Sequence, residues 1–271
     1  MIELKSADEL LLMRRAGLVV AEGLEAMTAA VAPGITTGEI DRIGRDVIAS
    51  HGATSNFLNY GAEYGIGFPG VACISVNDEL VHGIPGDRVL ADGDMVSIDY
   101  GAIVEGWHAD AARTVIVGPG TAEERELNHV TEESLWAGIL AMRTGGKVVD
   151  VSKAIEKRIR QGSGHYGILR EFTGHGIGSA MHMPPDVPNL RTFGRQVPMQ
   201  LGMALAIEPM VTLGTHKTVE LDDGWTIVSK DGSKGSHWEH TAVLTERGIW
   251  VLTAFDGGES RLGERFGPLG D

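Results

Sequence analysis

Apolar residues recur at helical spacing near the start of the chain and again after its middle. Four segments show this pattern: residues 8–30, 37–51, 121–142 and 151–159. Apolar side chains three and four positions apart indicate an amphipathic helix. Pro33-Gly34, Gly52 and Gly145-Gly146 follow three of these segments, and such residues commonly end helices. The pattern therefore predicts four helices, arranged as two pairs.

Short stretches with β-type patterns, bounded by turn residues, follow each helix pair. The predicted strands are residues 72–76, 95–99, 114–117, 202–207, 225–228, 241–244 and 250–253. An offset of 111 residues between the two halves pairs Gly34 with Gly145 and Ile40 with Val151. Two helices followed by strands, repeated once, predict an α+β fold of duplicated halves, with antiparallel sheet covered by helices and a cleft at the junction.

The same repeat indicates how the chain is organised. We expect one domain over residues 1–255, with halves of about 1–118 and 119–255. Residues 256–271 contain Gly-Gly-Glu-Ser and Gly-Pro-Leu-Gly and are predicted to form a flexible tail.

Composition and charge then exclude several classes of function. The 271 residues are 42% hydrophobic and 22% charged, which is typical of a globular protein. With 23 basic and 37 acidic residues, the net charge of −14 disfavours a DNA-binding or anionic-membrane surface. The single cysteine, Cys73, cannot form an internal disulfide, and no apolar run reaches the ~18 residues of a membrane span. We therefore expect a cytoplasmic protein.

Acidic and imidazole side chains stand inside five apolar, strand-like stretches: Asp99, Asp110, His175, Glu208 and Glu239. A buried carboxylate is costly unless it is paired or bound to a metal. Any one of them alone is more often part of a salt bridge or of an exposed strand face. Together the four carboxylates bring about four negative charges, which two divalent ions would neutralise, and His175 adds a nitrogen ligand.

Local spacing supports such a cluster. Asp99 and Asp110 are 11 residues apart with Gly101 and Gly106 between them, so a hairpin would bring them onto neighbouring strands. His175 lies between glycines, which allow backbone and imidazole to approach a crowded centre. Oxygen donors with one imidazole suit Co, Mn, Fe or Zn, and the sequence does not choose among them.

The segments VSIDYG, HADAART, FTGHGIG, AIEPM and WEHT, with CISVNDELVHGIP upstream, resemble those of the type I methionine aminopeptidases, which have the pita-bread fold. The resemblance extends from the first helix to about Thr253. It implies a central cleft with two divalent metal ions, and hydrolytic removal of the initiator methionine from a peptide or nascent protein N-terminus, preferentially before a small second residue. The implied metal ligands are Asp99, Asp110, His175, Glu208 and Glu239.

The resemblance also implies roles beyond metal ligation. Glu208 would carry a proton from water towards the leaving amine, His182 would donate to the developing oxyanion, and His82 would contact the scissile amide nitrogen. The implied substrate-binding residues are Phe68, Cys73, His82, His182 and Trp225. Among them, the aromatic rings of Phe68 and Trp225 and the sulfur of Cys73 suit a thioether. The chain departs from better-known family members at Tyr64-Gly65-Ile66-Gly67 and at Met181, so the pocket lining at Tyr64, Ile66 and Met181 stays open.

The remaining histidines receive no catalytic role and are interpreted as surface or supporting groups: His51, His108, His129, His165, His216, His237 and His240. His240 follows a ligand, so strand alternation places it on the opposite face.

Two alternatives stay open at this point. One is a dimetal peptidase of the same fold with another specificity, such as an Xaa-Pro aminopeptidase, against which Cys73 and the early first helix argue. The other is a non-catalytic pita-bread binding protein, a class that typically loses metal ligands. We expect a monomer without a DNA or membrane partner, and transient contact with the ribosome is an open alternative.

Overall fold

The four long helices begin and end within a few residues of the predicted positions. A computed structural model describes residues 2–194 and 196–270, apart from the side chain of Tyr64. The helices are α1 (Ala7–Ala30), α2 (Thr37–Ser50), α3 (Ala122–Leu140), α4 (Val148–Arg160) and the short α5 (Glu259–Leu262). Ser6, Thr36 and Thr121 start the first three through capping boxes with a glutamate three residues later. The predicted helix pairs are therefore confirmed.

Antiparallel strands form the other layer. In chain order they are β1 (Thr54–Ser55), β2 (Ala72–Val76), β3 (Glu79–Val81), β4 (Met95–Val104), β5 (Trp107–Ile116), β6 (Gly167–Ile168), β7 (Gly174–Gly176), β8 (Met183–Val187), β9 (Ala204–Ile207), β10 (Met210–Thr212), β11 (Thr218–Glu220), β12 (Ile227–Ser229), β13 (Gly235–His237), β14 (Glu239–Thr245) and β15 (Gly248–Val251). The main sheet has the order β1-β4-β5-β14-β9-β7-β8, with β2 on β4 and β15 on β14. Two smaller sheets, β13-β10-β6 and β11-β12-β3, adjoin it.

The β4–β5 hairpin is longer than the sequence predicts. Its turn lies at Glu105-Gly106, where both residues have positive φ (51° and 83°), as a two-residue hairpin turn requires. Gly101 belongs to the interior of β4 and not to a turn. A Cβ at Gly101 would lie 2.3 Å from Nδ2 of Asn56, so this glycine permits a close approach.

Each helix pair covers its own half of the main sheet. Leu24 and Ile40 pack with Ile98 in one buried cluster, while Leu135 and Ile155 belong to a second cluster with strands of the other half. The offset of 111 residues carries α2 onto positions 148–161, which coincides with α4. The β5–β14 pairing joins the halves into one sheet. One domain with halves of about 1–118 and 119–255 stays a prediction.

Residues 256–270 do not form the predicted flexible tail. They contain α5 and a 3-10 turn at Gly263–Arg265, and Leu262 is buried in the core. The backbone of Phe266 forms a bridge with Ile249. Positive φ values at Gly257 (68°) and Gly263 (52°) show that glycine makes tight turns here between apolar anchors.

None of the helices among the described residues is both long enough and apolar enough to span a bilayer.

Candidate metal centre and substrate pocket

The register of the main sheet brings three carboxylates onto one face. Asp99 on β4 is opposite Cys73 on β2 and Ala112 on β5, and Ala112 is opposite Glu239 on β14. Asp110 lies two positions from Ala112 on β5. Because alternate residues of a strand share a face, Asp99, Asp110 and Glu239 point to the same side. The predicted hairpin relation between Asp99 and Asp110 is confirmed.

His175 and Glu208 reach this face from the other half. His175 on β7 is opposite Ala206 on β9, and Ala206 is opposite Thr241 on β14. Glu208 follows β9 directly. A Cβ at Gly176 would lie 2.3 Å from the carbonyl oxygen of Pro184, so only glycine fits beside His175.

The orientation of His175 leaves one ring nitrogen free for a ligand. Its Nδ1 lies 2.9 Å from the carbonyl oxygen of Gly176, which can only accept, so Nδ1–H donates and Nε2 carries the lone pair. Nε2 lies 3.5 Å from Oε1 of Glu208. Donor atoms of Asp110, His175 and Glu239 all lie within 4.8 Å of one another.

Burial makes this face electrostatically unfavourable for the protein alone. It raises the pKa of Asp99 to about 7, and raises those of Asp110, Glu208 and Glu239 well above their ordinary values. Repulsion among the carboxylates adds to the shift at Asp110 and Glu239. Burial also lowers the pKa of His175 to about 3, so its imidazole is neutral at physiological pH.

Several buried side-chain oxygen and nitrogen atoms on this face have no hydrogen-bond partner in the protein. They are Oδ1 of Asp99, Oδ1 of Asp110, Oε1 of Glu239 and Nε2 of His237. The cavity beside them, in the described part of the chain, has no lysine or arginine in its lining. Unpartnered carboxylate oxygens next to a neutral imidazole fit a divalent cation, which would supply the missing positive charge.

A cavity of about 100 Å³ joins the acidic face to an apolar wall. Ring centroids of Phe68 and Trp225 are 5.4 Å apart, edge to face. Burial and the nearby carboxylates raise the pKa of the Cys73 thiol, which therefore stays protonated. All the predicted substrate-binding residues line this cavity: Phe68, Cys73, His82, His182 and Trp225. Two larger clefts of about 470 Å³ each contain none of these residues.

The two predicted catalytic histidines lie at the edges of this cavity. His82 follows β3 in a left-handed backbone conformation with φ of 59°, which is uncommon for a residue other than glycine. Its ring packs edge-on against Phe172 and Trp225, and burial lowers its pKa to about 4. Nδ1 of His182 lies 2.7 Å from the hydroxyl of Tyr60, and its ring centroid is 4.4 Å from that of His175.

Sequence reasoning missed several residues of the site. His237 is 2% exposed, and its Nε2 lies 3.5 Å from Oε2 of Glu208. Its signal in the sequence is its position two residues before Glu239, which alternation along a continuous strand would place on the same face, although the structure divides this stretch into β13 and β14. Phe57 and Tyr60 also line the cavity, and so does Met181, one of the positions at which the sequence left the pocket lining open.

Ile66 and His240 are not among the described residues that line the cavity. Ile66 is 72% exposed, and its carbonyl oxygen accepts a hydrogen bond from Nε1 of Trp225 at 3.0 Å. The side chain of Tyr64 is outside the described residues. His240 hydrogen-bonds through Nδ1 to Oγ1 of Thr253 at 2.8 Å, in agreement with its predicted position on the face opposite Glu239.

Known proteins are similar to this chain in sequence and fold. Residues 11–246 match the model of metallopeptidase family M24. Methionine aminopeptidase 1 of Mycobacterium tuberculosis is 48% identical over 92% of this chain and 94% of its own length. The methionine aminopeptidase of Clostridium perfringens is 43% identical over 93% of this chain and 99% of its own. The crystal structure of methionine aminopeptidase from Thermotoga maritima superposes with a TM-score of 0.88 at 37% identity, covering 93% of this chain and 99% of that one. These similarities confirm the pita-bread fold, and the chain belongs to metallopeptidase family M24.

Proposed function

We propose that this protein is a metal-dependent methionine aminopeptidase that removes the initiator methionine from peptides and nascent proteins. The observation that carries the proposal is the meeting of four carboxylates and a neutral imidazole on one wall of a small apolar cavity. The high identity to methionine aminopeptidases over nearly the whole chain supports the specificity.

The metal centre holds two divalent ions. Its proposed ligands are Asp99, Asp110, His175, Glu208 and Glu239. The support is their common face, the unpartnered oxygens and a total charge of about −4, which two divalent ions neutralise. When bound, such a pair supplies an activated water and polarises the scissile carbonyl. The donor set accommodates Co, Mn, Fe or Zn.

Glu208 is the proposed proton carrier. It stands at the end of β9 with one carboxylate oxygen near Nε2 of His175 and the other near Nε2 of His237. Burial raises the pKa of Glu208 well above that of an ordinary glutamate. That shift is a property of the metal-free protein, and the role of Glu208 as carrier of a proton from water to the leaving amine is carried over from the family resemblance.

His182 and His82 are the proposed hydrogen-bond donors to the reacting peptide. Burial lowers the pKa of both rings, so each is neutral and keeps one N–H to donate. If the hydroxyl of Tyr60 donates to Nδ1 of His182, the Nε2–H of His182 is free to bond the developing oxyanion. His82 is assigned the scissile amide nitrogen by the family resemblance.

The apolar wall is the proposed pocket for the methionine side chain. Phe68, Cys73, Met181 and Trp225 present aromatic edges and sulfur atoms, which make favourable contacts with a thioether. The free α-amine then lies towards the acidic face. The preference for a small second residue is carried over from the family resemblance.

We also propose a cytoplasmic monomer without a DNA or membrane partner. The net charge of −14 and the unpaired, buried thiol of Cys73 support this setting.

A substrate panel tests the function. The protein is stripped with a chelator, reloaded with Co, Mn, Fe or Zn, and given Met-Ala-Ser, its N-acetylated form and an Ala-Pro peptide. We expect free methionine from Met-Ala-Ser alone, and only after reloading. Cleavage of the Ala-Pro peptide would instead support an Xaa-Pro aminopeptidase, and no turnover with any metal would support a binding protein. Glu239→Ala is the matched inactive control.

A further inference from the structure

His237 lies among the proposed metal ligands, and its Nε2 has no hydrogen-bond partner there. Its side chain is 2% exposed. Donor atoms of Glu208, His237 and Glu239 lie within 4.8 Å of one another, a second group beside that of Asp110, His175 and Glu239. An unpartnered, buried nitrogen aimed at two carboxylates requires a physical explanation.

Hydrogen bonds of its backbone hold His237 in place. Its N–H donates to Oγ1 of Thr114 at 2.9 Å, and its carbonyl accepts from the same hydroxyl at 2.8 Å. On β13, His237 pairs with Met210 of β10. The strand therefore presents the ring to the metal face while leaving Nε2 available to a ligand.

The spacing around Glu208 is that of atoms that share an ion. Nε2 of His237 lies 3.5 Å from Oε2, and Nε2 of His175 lies 3.5 Å from Oε1. Both separations are longer than an ordinary N–H···O hydrogen bond of about 3.0 Å. Two donors bound at about 2.1 Å to one tetrahedral ion are about 3.4 Å apart. Each oxygen of Glu208 thus has an imidazole nitrogen at the distance expected between neighbouring ligands.

We propose that Nε2 of His237 is a sixth protein ligand of the metal centre, bound to an ion shared with Glu208 and Glu239. The proposal rests on the metal-dependent function proposed above. A second imidazole shifts the donor set from oxygen towards nitrogen. Nitrogen donors favour Zn, Fe and Co relative to Mn, so His237 biases the centre towards these ions.

Nitrogen NMR of the intact protein tests the proposal. The protein is labelled with 15N-histidine, stripped of metal and titrated with zinc, a diamagnetic probe. We expect Nε2 of both His175 and His237 to move to the shift of a metal-bound nitrogen. Movement of His175 alone would overturn the sixth ligand while leaving the proposed function intact. Movement of neither would overturn the proposed metal centre itself, and the sixth ligand with it.

A matched pair of variants gives the second test. His237→Gln keeps an amide that donates hydrogen bonds but removes the imidazole, and His240→Gln makes the same change on the opposite face, where the ring bonds to Thr253. In calorimetric titrations we expect His237→Gln to bind its second zinc ion at least about tenfold more weakly, with a smaller loss for Mn, and His240→Gln to match the wild type. Unchanged affinity in a folded His237→Gln would overturn the proposal. Should His237→Gln fail to fold, the NMR result on the wild type decides.

Discussion

Asp99, Asp110, Glu208 and Glu239 each carry a carboxylate whose pKa burial raises. Without a cation, the folded protein keeps some of them protonated or accepts their repulsion. A bound cation reverses this balance, because it stabilises every ionised carboxylate at once. The four carboxylates that would hold the metal therefore lower the stability of the metal-free protein.

Removing one of these charges has opposite effects on stability and on metal binding. Asp110→Asn keeps the shape of a buried side chain but removes a ligand charge. We expect the metal-free variant to melt about 2–4 °C higher than metal-free wild type, corresponding to ~1 kcal/mol, while divalent ions bind far more weakly. Calorimetry and metal analysis after dialysis measure both effects. Asp87→Asn, at an exposed position, is the control and leaves both unchanged. A lower melting temperature with metal binding retained contradicts this account.

The raised pKa values also predict how stability depends on pH. Folding raises the pKa of Asp99 from 3.8 to about 7, so the folded, metal-free protein binds more protons than the unfolded chain in that interval, and its stability falls as pH rises. Buried His175 has a lowered pKa and contributes the opposite slope, but only below the ordinary histidine value of 6.5. We therefore expect metal-free protein to lose stability from about pH 6.5 to 8.

Thermal melts of the metal-free and metal-loaded protein across this interval measure the effect. Loaded protein is expected to be insensitive to pH there, because bound metal keeps the carboxylates ionised. A metal-free protein that gains stability between pH 6.5 and 8 is incompatible with the shifts at Asp99 and its neighbours.

Residue types and their surroundings in the sequence were enough to predict the five residues that meet on the acidic face. His237 was not found, because strand alternation alone does not separate it from His108. Both stand two positions before an acidic residue of the face, yet Nδ1 of His108 hydrogen-bonds to Asn56 while Nε2 of His237 reaches Glu208. The difference depends on which strands become neighbours, and this is not local information.

At the scale of elements, glycines decide how closely strands approach the site. Strand β7, which carries His175, lies between β8 and β9. A Cβ added at Gly174 would lie 2.4 Å from the carbonyl oxygen of Ala206. The helices could be predicted closely because their caps and periodicity are local. The full length of the β4–β5 hairpin could not, because the interior position of Gly101 depends on its contact with Asn56, 45 residues earlier in the sequence.

Gly176→Ala tests this packing. The new Cβ would lie 2.3 Å from the carbonyl oxygen of Pro184, so β7 and β8 must separate. We expect a loss of about 1–3 kcal/mol in the free energy of unfolding, together with weaker metal binding because His175 is displaced. Chemical denaturation and metal titration measure the two effects.

The control is Gly86→Ala, because a Cβ there meets no atom within 4 Å and the backbone φ is not positive. If Gly176→Ala and Gly86→Ala behave alike, close approach is not the reason for the glycine beside His175.

At the scale of the whole molecule, the site exists only where the two halves meet. Asp99 and Asp110 come from the first half and His175, Glu208 and Glu239 from the second, joined through the β5–β14 pairing. Thr241 secures this junction, since its hydroxyl accepts from the N–H of Asp110 and donates to its carbonyl. The repeat in the sequence predicted the pairs of helices, whereas the packed C-terminal segment depends on contacts with distant strands.

The C-terminal segment is expected to contribute to stability and not to catalysis. Leu262 of α5 is 4% exposed and belongs to the core cluster of the second half. Leu262→Ala should lower the free energy of unfolding by about 2–5 kcal/mol and leave kcat/KM of the folded, metal-loaded enzyme unchanged. Leu11→Ala, at a position 51% exposed, is the control. An unaffected free energy of unfolding would mean that this segment contributes little to the fold.

Anomalous diffraction from crystals of the cobalt-loaded protein tests the central claim most directly, because it locates cobalt without reference to activity. The account predicts two cobalt peaks on the acidic face, within bonding distance of side chains from both halves: Asp99, Asp110, His175, Glu208 and Glu239. Fully loaded crystals with no cobalt peak among these residues would contradict it.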